Sequence, residues 1–526
     1  MATIIDLQAG TAFVGGGGEG YATPETLLLK YANRHGLIAG ATGTGKTVTL
    51  QTLAEAFSLA GVPVFMADVK GDLAGIARAG STEAPTDAPF QKRAAQIGVT
   101  LDYQAFPVTF WDIWGEKGHP VRTTPAEMGP LLLSRLMGLT DVQEGVMNIA
   151  FRVADEQGLA LLDLKDLQSM LLWVGQNAKD LSLKYGNVST ASVGAIQRAL
   201  MVLENEGGHL LFGEPALELM DMIRLDVSGK GMVNILSAEK LMNAPRLYAT
   251  FLLWLMSELF EQLPEVGDPD KPRIAFFFDE AHLLFNDAPP ALVEKIEQVA
   301  RLIRSKGVSL WFITQNPADL PDSVLGQLGN RVQHALRAFT AKDQKALRLA
   351  AQNYRPNPAF DIAEAIQSVG TGEAVTSLLE AKGVPGMAER TLIRPPLSQL
   401  GPVTDAERAA IIAQSPMGLK YSKTLDRESA FEVLTARTEA AAKASAEAQA
   451  KAGDDDLFSM EAPASRGRRY DPKLQIPREE RASTPARRSS SDSIAVTFGK
   501  SLARQLGTKS GQAIVRGVLG SLFRGR

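Results

Sequence analysis

The strongest constraint on this chain is the eight-residue run GATGTGKT, which begins at Gly40 and ends at Thr47. It matches the pattern G-x-x-x-x-G-K-[ST], in which backbone N–H groups and the start of a helix bind phosphate groups. A short apolar run ends at Ala39, and residues 48–59 follow with helical spacing. A strand, a glycine loop and a helix in this order predict a P-loop.

The P-loop pattern assigns roles to individual residues. We expect the phosphates of ATP to bind at Gly40, Ala41, Thr42, Gly43, Thr44, Gly45, Lys46, Thr47 and Val48. Lys46 is expected to reach the terminal phosphates, and the Thr47 hydroxyl is expected to bind Mg²⁺. ATP and Mg²⁺ are therefore the predicted ligands.

A second chemical motif ends the apolar run of residues 274–278, where Asp279 and Glu280 follow. The first acid of such a pair belongs to the Mg²⁺ shell, and the second polarises the attacking water. Asp279 is thus a predicted metal ligand, and Glu280 is the predicted general base. With Ala281 and His282 the pair also spells DEAH, but neither a second sheet nor an arginine-rich motif follows residue 380, which disfavours a two-lobed helicase.

Two further residues are candidates for the same reaction. Gln315 follows the apolar run 308–314, so in a parallel sheet it lies beside the two acids and senses phosphate or orients water. Arg304, near the end of a helical stretch, is the first candidate for an arginine finger given to a neighbouring subunit, with Arg331 and Arg337 in reserve. Pairing with the helix dipole is the alternative for Arg304.

The order of apolar runs and helical stretches predicts an α/β fold with a mainly parallel sheet around the P-loop. Residues 36–79 and 231–395 form its core, after an N-terminal segment at 1–35 in which the glycine run 15–18 reads as a loop. Residues 80–230 read as a mostly helical insertion. The predicted segments beyond the core are an extension at 396–435, a largely disordered linker at 436–492 and an amphipathic end at 493–526.

Composition limits the chemistry, the location and the partners that the chain can have. The chain has no cysteine, which excludes disulfides and thiolate metal sites and fits a reducing cytoplasm. We see no secretory leader, and the most apolar stretch, 247–263, is too short to span a membrane and predicts a buried helix. Residues 463–526 hold 14 Lys and Arg against 4 Asp and Glu. This basic end is typical of a polyanion or membrane-surface contact, or of a solvated disordered end.

Taken together, these motifs resemble the HerA/FtsK group of P-loop motors, and more narrowly the bacterial HerA-like proteins. The resemblance rests on GATGTGKT, ADVKGDLAG, FFFDEAHLLF, WFITQNPADLP and VGTGEAVTSLL. It implies a RecA-like P-loop core that assembles as a homo-oligomeric ring, expected to be a hexamer, with ATP at subunit boundaries and double-stranded DNA in the pore. It also gives Gln315 the sensor role and Arg304 the finger role. HerA itself has an N-terminal barrel that docks a nuclease, and the 39 residues before the P-loop are too few for it, so a nuclease partner is not expected.

The sequence is also compatible with two other functions. The same core serves ring motors that act on proteins in secretion, and a slow ATPase can act as a scaffold controlled by nucleotide. The loop from Asp68 to Leu73, after the second predicted strand, either couples nucleotide to substrate or is an ordinary polar loop.

Overall fold

A computed structural model describes residues 2–285, 290–338 and 340–458 of the chain. Contacts divide the chain into two units, the first ending at Ala430 and the second starting at Phe431. The first unit is an α/β domain built on one sheet, and the second contains most of a long helix. The predicted amphipathic end at 493–526, and the predicted linker from residue 459 onward, lie outside the described residues.

Thirteen strands of the described chain form a single sheet. They are β1 (Ile5–Asp6), β2 (Thr11–Gly17), β3 (Thr23–Leu28), β4 (Gly36–Ala39), β5 (Val64–Asp68), β6 (Val108–Asp112), β7 (His119–Pro120), β8 (Val233–Ser237), β9 (Ile274–Phe278), β10 (Val308–Thr314), β11 (Asn330–Gln333), β12 (Glu373–Ser377) and β13 (Glu389–Ile393). Their order is β1-β2-β13-β12-β11-β4-β10-β9-β5-β8-β6-β7, with β3 paired to β2.

The α-helices within the described ranges are numbered in the order in which they occur along the chain. They are α1 (Lys46–Leu59), α2 (Asp87–Gln96), α3 (Pro125–Leu136), α4 (Asp141–Gln157), α5 (Leu164–Gln176), α6 (Ala178–Tyr185), α7 (Thr190–Leu203), α8 (His209–Leu211), α9 (Pro245–Gln262), α10 (Pro290–Leu302), α11 (Asp322–Leu325), α12 (Ala341–Gln352), α13 (Ile362–Ser368), α14 (Asp405–Gln414), α15 (Met417–Tyr421) and α16 (Ala430–Phe458).

The centre of the sheet is parallel, as the sequence predicts. From β11 through β4, β10, β9, β5, β8 and β6 to β7 every pairing is parallel, whereas the pairings from β11 to β1 are antiparallel. Strands β5, β9 and β10 are buried along their whole length, which explains their continuous apolar runs. The predicted mainly parallel α/β fold is confirmed.

The glycine run was predicted to be a loop, and this prediction is wrong. Gly15, Gly16 and Gly17 belong to β2, which is buried between β3 and β13. A Cβ on Gly15 would lie 2.3 Å from the Leu392 carbonyl oxygen, and one on Gly16 would lie 2.1 Å from that of Tyr21. The glycines therefore let neighbouring backbone segments approach the strand closely. A run of glycines in the sequence does not show whether such neighbours are present.

The segment 80–230 contains more sheet than the sequence suggested. Helices α3 to α8 occupy its second half, but β6 and β7 precede them and extend the sheet beyond β8. At the other edge, β13 joins β12 to β2, although the sequence indicated no strand there. The segment 436–492 was predicted to be a largely disordered linker, but α16 continues through its first part to Phe458.

The most apolar stretch of the sequence is α9, whose residues from Leu247 to Met256 are buried. It is a core helix, as expected. No helix among the described residues is long and apolar enough to cross a membrane.

A buried ion pair joins α1 to the chain that follows β13. The Arg394 guanidinium donates to the Glu55 carboxylate at 2.9 Å, and the two side chains are 1% and 0% exposed. Glu55 also accepts from the backbone N–H groups of Leu397 and Ser398. Because the carboxylate is fully hydrogen-bonded, the pair holds the P-loop helix against the segment that follows β13.

Replacing Glu55 by Gln should destabilise the first unit by about 3–5 kcal/mol, because it leaves the Arg394 charge buried without a counter-charge. Urea unfolding followed by tryptophan fluorescence measures the change. Glu156→Gln is the matched control, since Glu156 pairs with Arg152 at the surface at the same 2.9 Å. Equal midpoints for the two variants would contradict the structural role given to the buried pair.

Candidate nucleotide site

Parallel pairing brings the two chemical motifs to one edge of the sheet. Strand β10 lies between β4 and β9, with Thr314 beside Ala39 and Phe312 beside Phe278. The P-loop follows β4, and Asp279 with Glu280 follows β9. Both segments therefore emerge at the carboxyl ends of neighbouring strands, where ligands bind in open α/β sheets.

The backbone of the loop from Gly40 to Gly45 has the geometry of a phosphate cradle. Gly40, Gly43 and Gly45 have φ of 152°, 76° and 117°. A Cβ on Gly40 would lie 2.5 Å from the Cβ of His334. Glycine is therefore required at this position both by the positive φ and by the close approach of His334. Thr42 and Gly43 are exposed, Ala41, Thr47 and Val48 are half-buried, and Thr44 is buried with its hydroxyl bonded to the Ala41 carbonyl at 2.7 Å.

The Lys46 ammonium is folded back onto the loop. It donates to the Gly40 carbonyl at 2.6 Å and to the Ala41 carbonyl at 3.1 Å, and the residue is buried. Burial lowers the pKa of Lys46, the negative charge of Glu280 opposes this shift, and the positive charge of Lys70 adds to it. The ammonium is thus available to a phosphate that competes for these two carbonyl contacts.

Asp279 is a buried carboxylate, 4% exposed, whose Oδ1 accepts the Glu280 backbone N–H at 2.9 Å. Burial raises the pKa of its carboxyl to about 7, Lys70 opposes the rise, and Glu280 adds to it. A divalent cation would relieve this concentration of negative charge. The hard oxygen donors of Asp279 and Thr47, together with phosphate oxygens, suit Mg²⁺.

Glu280 has left-handed backbone geometry, with φ 47° and ψ 49°, and its side chain is 4% exposed. The Lys70 ammonium donates to its Oε1 at 2.6 Å, and the Gln315 amide lies 3.4 Å from the same oxygen. His282 Nδ1 lies 3.3 Å from Oε2. Burial favours the neutral acid, but the Lys70 hydrogen bond and charge outweigh it and lower the pKa of Glu280.

Gln315 stands where the strand order implies, exposed at the end of β10 beside Glu280. Arg304 does not approach the P-loop of its own subunit. It precedes β10 and lies at the opposite, amino edge of the sheet, where it pairs with Asp268 at 3.1 Å. Of the reserve arginines, Arg331 donates to the Leu325 and Leu328 carbonyls, and Arg337 is exposed.

His334 contributes to the site, although no sequence pattern pointed to it. Its Nδ1 lies 2.8 Å from the Glu373 carbonyl oxygen, and its Nε2 lies 2.8 Å from the Thr49 hydroxyl on α1. Burial lowers the pKa of His334 to about 4, so the ring is neutral, with Nδ1–H donating and Nε2 accepting. The imidazole thus fixes the first turn of the P-loop helix to β12.

Two more residues near the acids were not predicted from the sequence. Lys70, in the loop left open as polar or coupling, contacts Glu280 directly. Tyr248 on α9 is fully buried, and its pKa is raised by burial and by the nearby charges of Asp279 and Glu280. For Lys70, the one sequence signal for a position near the acids is that it follows a buried strand.

Comparisons with known proteins identify the family of the chain. The family model described as helicase HerA-like C-terminal matches residues 17–526. The DNA double-strand break repair helicase HerA of Sulfolobus acidocaldarius is 25% identical over 170 residues, and this stretch covers 31% of the chain and 33% of the archaeal protein. The chain thus matches about a third of the length of that relative.

Two solved structures are similar at low identity. The plasmid coupling protein TrwB, bound to a GTP analogue, is 14% identical with a TM-score of 0.47, covering 72% of this chain and 89% of that chain. VirB4 of Thermoanaerobacter pseudethanolicus is 16% identical with a TM-score of 0.47, covering 74% and 98%.

Replacing Lys46 by Ala should weaken ATP binding, because it removes the buried ammonium beside the glycine loop. Titration with a fluorescent ATP analogue measures the affinity. Lys271→Ala is the matched control, because the Lys271 ammonium also donates to backbone carbonyls, those of Ala60 and Gly61, just after the other end of α1. Equal affinities for the two variants would contradict the role of Lys46.

Proposed function

The chain belongs to the helicase HerA-like C-terminal family of P-loop ATPases, and from this premise we propose that it hydrolyses ATP to move double-stranded DNA. The observation that carries the proposal is the meeting of Lys46 with Asp279 and Glu280 at one edge of the sheet. A phosphate loop alone supports nucleotide binding. A loop facing two buried acids supports hydrolysis.

In the proposed reaction the chain's own residues bind and orient the reactants. The glycine loop binds the phosphates through its N–H groups, and Lys46 leaves the Gly40 and Ala41 carbonyls for the terminal phosphates. Glu280 accepts a proton from water as the water oxygen bonds to the γ-phosphorus and the bond to the bridging oxygen breaks. Gln315 orients that water. Mg²⁺, held by Thr47 and Asp279, supplies positive charge to the phosphate oxygens.

We further propose a homo-oligomeric ring, hexameric as in the family resemblance, with ATP at the subunit boundaries. The position of Arg304 supports this arrangement, because a residue at the amino edge of the sheet is free to face a neighbouring subunit. A cytoplasmic location and the DNA substrate belong to the same proposal. The proposal includes no nuclease partner.

Replacing Glu280 by Gln should retain ATP binding and lower kcat at least about 100-fold, because the amide cannot take a proton from water. Phosphate release, measured beside nucleotide titration, separates the two effects. Normal turnover by this variant would remove Glu280 from the role of general base.

ATP hydrolysis should rise when double-stranded DNA is added, and the rise should fall steeply with salt, because phosphate contacts release counterions. The measurement is the hydrolysis rate with and without DNA, on protein whose mass in solution is known from light scattering. Stimulation by an unfolded protein instead would indicate a protein motor. A slow rate that neither polymer changes would indicate a scaffold.

Replacing Arg304 by Ala should leave ATP binding intact and lower hydrolysis by the ring about 1,000-fold, as expected for a lost arginine finger. Asp268→Ala is the matched control, because it breaks the same 3.1 Å ion pair but leaves the arginine in place. Equal losses in the two variants would show that the pair matters only for folding. Full activity of Arg304→Ala would assign the finger to another residue.

A further inference from the structure

The loop after β5 has a fixed backbone. The Asp68 carboxylate accepts the N–H groups of Gly71, Asp72 and Leu73 at 2.7, 3.2 and 3.1 Å. Asp68 itself is buried at the end of the strand. Three hydrogen bonds to one buried carboxylate hold the turn, so Lys70 is presented to its surroundings from a rigid base.

The Lys70 side chain lies against Glu280. Its Nζ is 2.6 Å from Oε1, and the side chains of Lys70 and Glu280 are 43% and 4% exposed. The Gln315 amide lies 3.4 and 3.5 Å from the two carboxylate oxygens, so both oxygens face its N–H groups, and His282 Nδ1 lies 3.3 Å from Oε2. Since Glu280 is buried and Lys70 is half-exposed on a flexible stem, Lys70 is the partner that can move.

We propose that Lys70 is a positioning residue that restrains Glu280 in the resting subunit. A general base needs a lone pair directed at the attacking water, and the Lys70 ammonium occupies one of the two carboxylate oxygens. Turnover then requires the ammonium to swing into solvent and release the carboxylate. The inference rests on the proposed ATPase function and adds a control of its catalytic step.

The restraint is tested by Lys70→Met in the full-length protein without added polymer. The kcat for ATP should rise at least about threefold, because the carboxylate is released, while KM stays unchanged. Lys70→Arg restores an ion pair to Glu280 and should return kcat to within about twofold of wild type.

Lys117→Met is the matched control for disturbance of the loop. Lys117 pairs with Glu239 at the same 2.6 Å, and its side chain is 41% exposed against 43% for Lys70. Glu239 is more exposed than Glu280, at 35%, and it packs against Gly71 of the same loop. This variant should keep the wild-type rate. A rate increase as large as that of Lys70→Met would overturn the proposal, because loosening of the loop would then explain both.

A second measurement separates restraint from direct phosphate binding. In the Glu280→Gln background, ATP and ADP affinities are compared with and without Lys70→Met by titration with fluorescent nucleotides. Restraint predicts unchanged affinities. A selective loss of ATP affinity, or a kcat of Lys70→Met at or below wild type, would overturn it. Absence of hydrolysis by the wild type counts against the proposed function, whereas an active wild type with no faster variant counts against the restraint alone.

Discussion

Parallel pairing of β4, β10 and β9 is the constraint on which the site depends. Their registers place Ala39, Thr314 and Phe278 at the same edge, so the segments that follow them must meet there. The P-loop and the two acids are 233 positions apart in the sequence, measured from Lys46 to Asp279. No local interaction joins them, and it is the strand order that makes them one site.

Buried charge is the second consequence of that order. Lys46, Asp279 and Glu280 are all less than one-tenth exposed; the two acids oppose the lowering of the Lys46 pKa, and Glu280 adds to the rise of the Asp279 pKa. Internal partners hold them: loop carbonyls for Lys46, a backbone N–H for Asp279, and Lys70 for Glu280. The two acids are therefore held in place before a nucleotide binds, and only the two lysine side chains change partners in the proposed reaction.

Sequence patterns predicted the elements that carry a local signal. The P-loop and the apolar strands before Asp279 and Gln315 have periodicity or spacing that fixes them within a few residues. The glycine strand β2, the His334 contact and the Lys70 partner could not be predicted, because they depend on neighbours between 210 and 378 positions away. Gln315 was predictable only through the assumption of parallel strands. The catalytic roles of these residues remain predictions.

The pairing of β2 with β13 also governs how the domain can form. Gly15 and Gly16 pair with Ile393 and Leu392, and β4 sits between β10 and β11. The β13 partners of Gly15 and Gly16, and both partners of β4, therefore leave the ribosome at least 275 residues after the strands that they pair with. Such long-range closure slows folding and leaves unpaired strand edges exposed during synthesis, so the nascent chain depends on protection from aggregation.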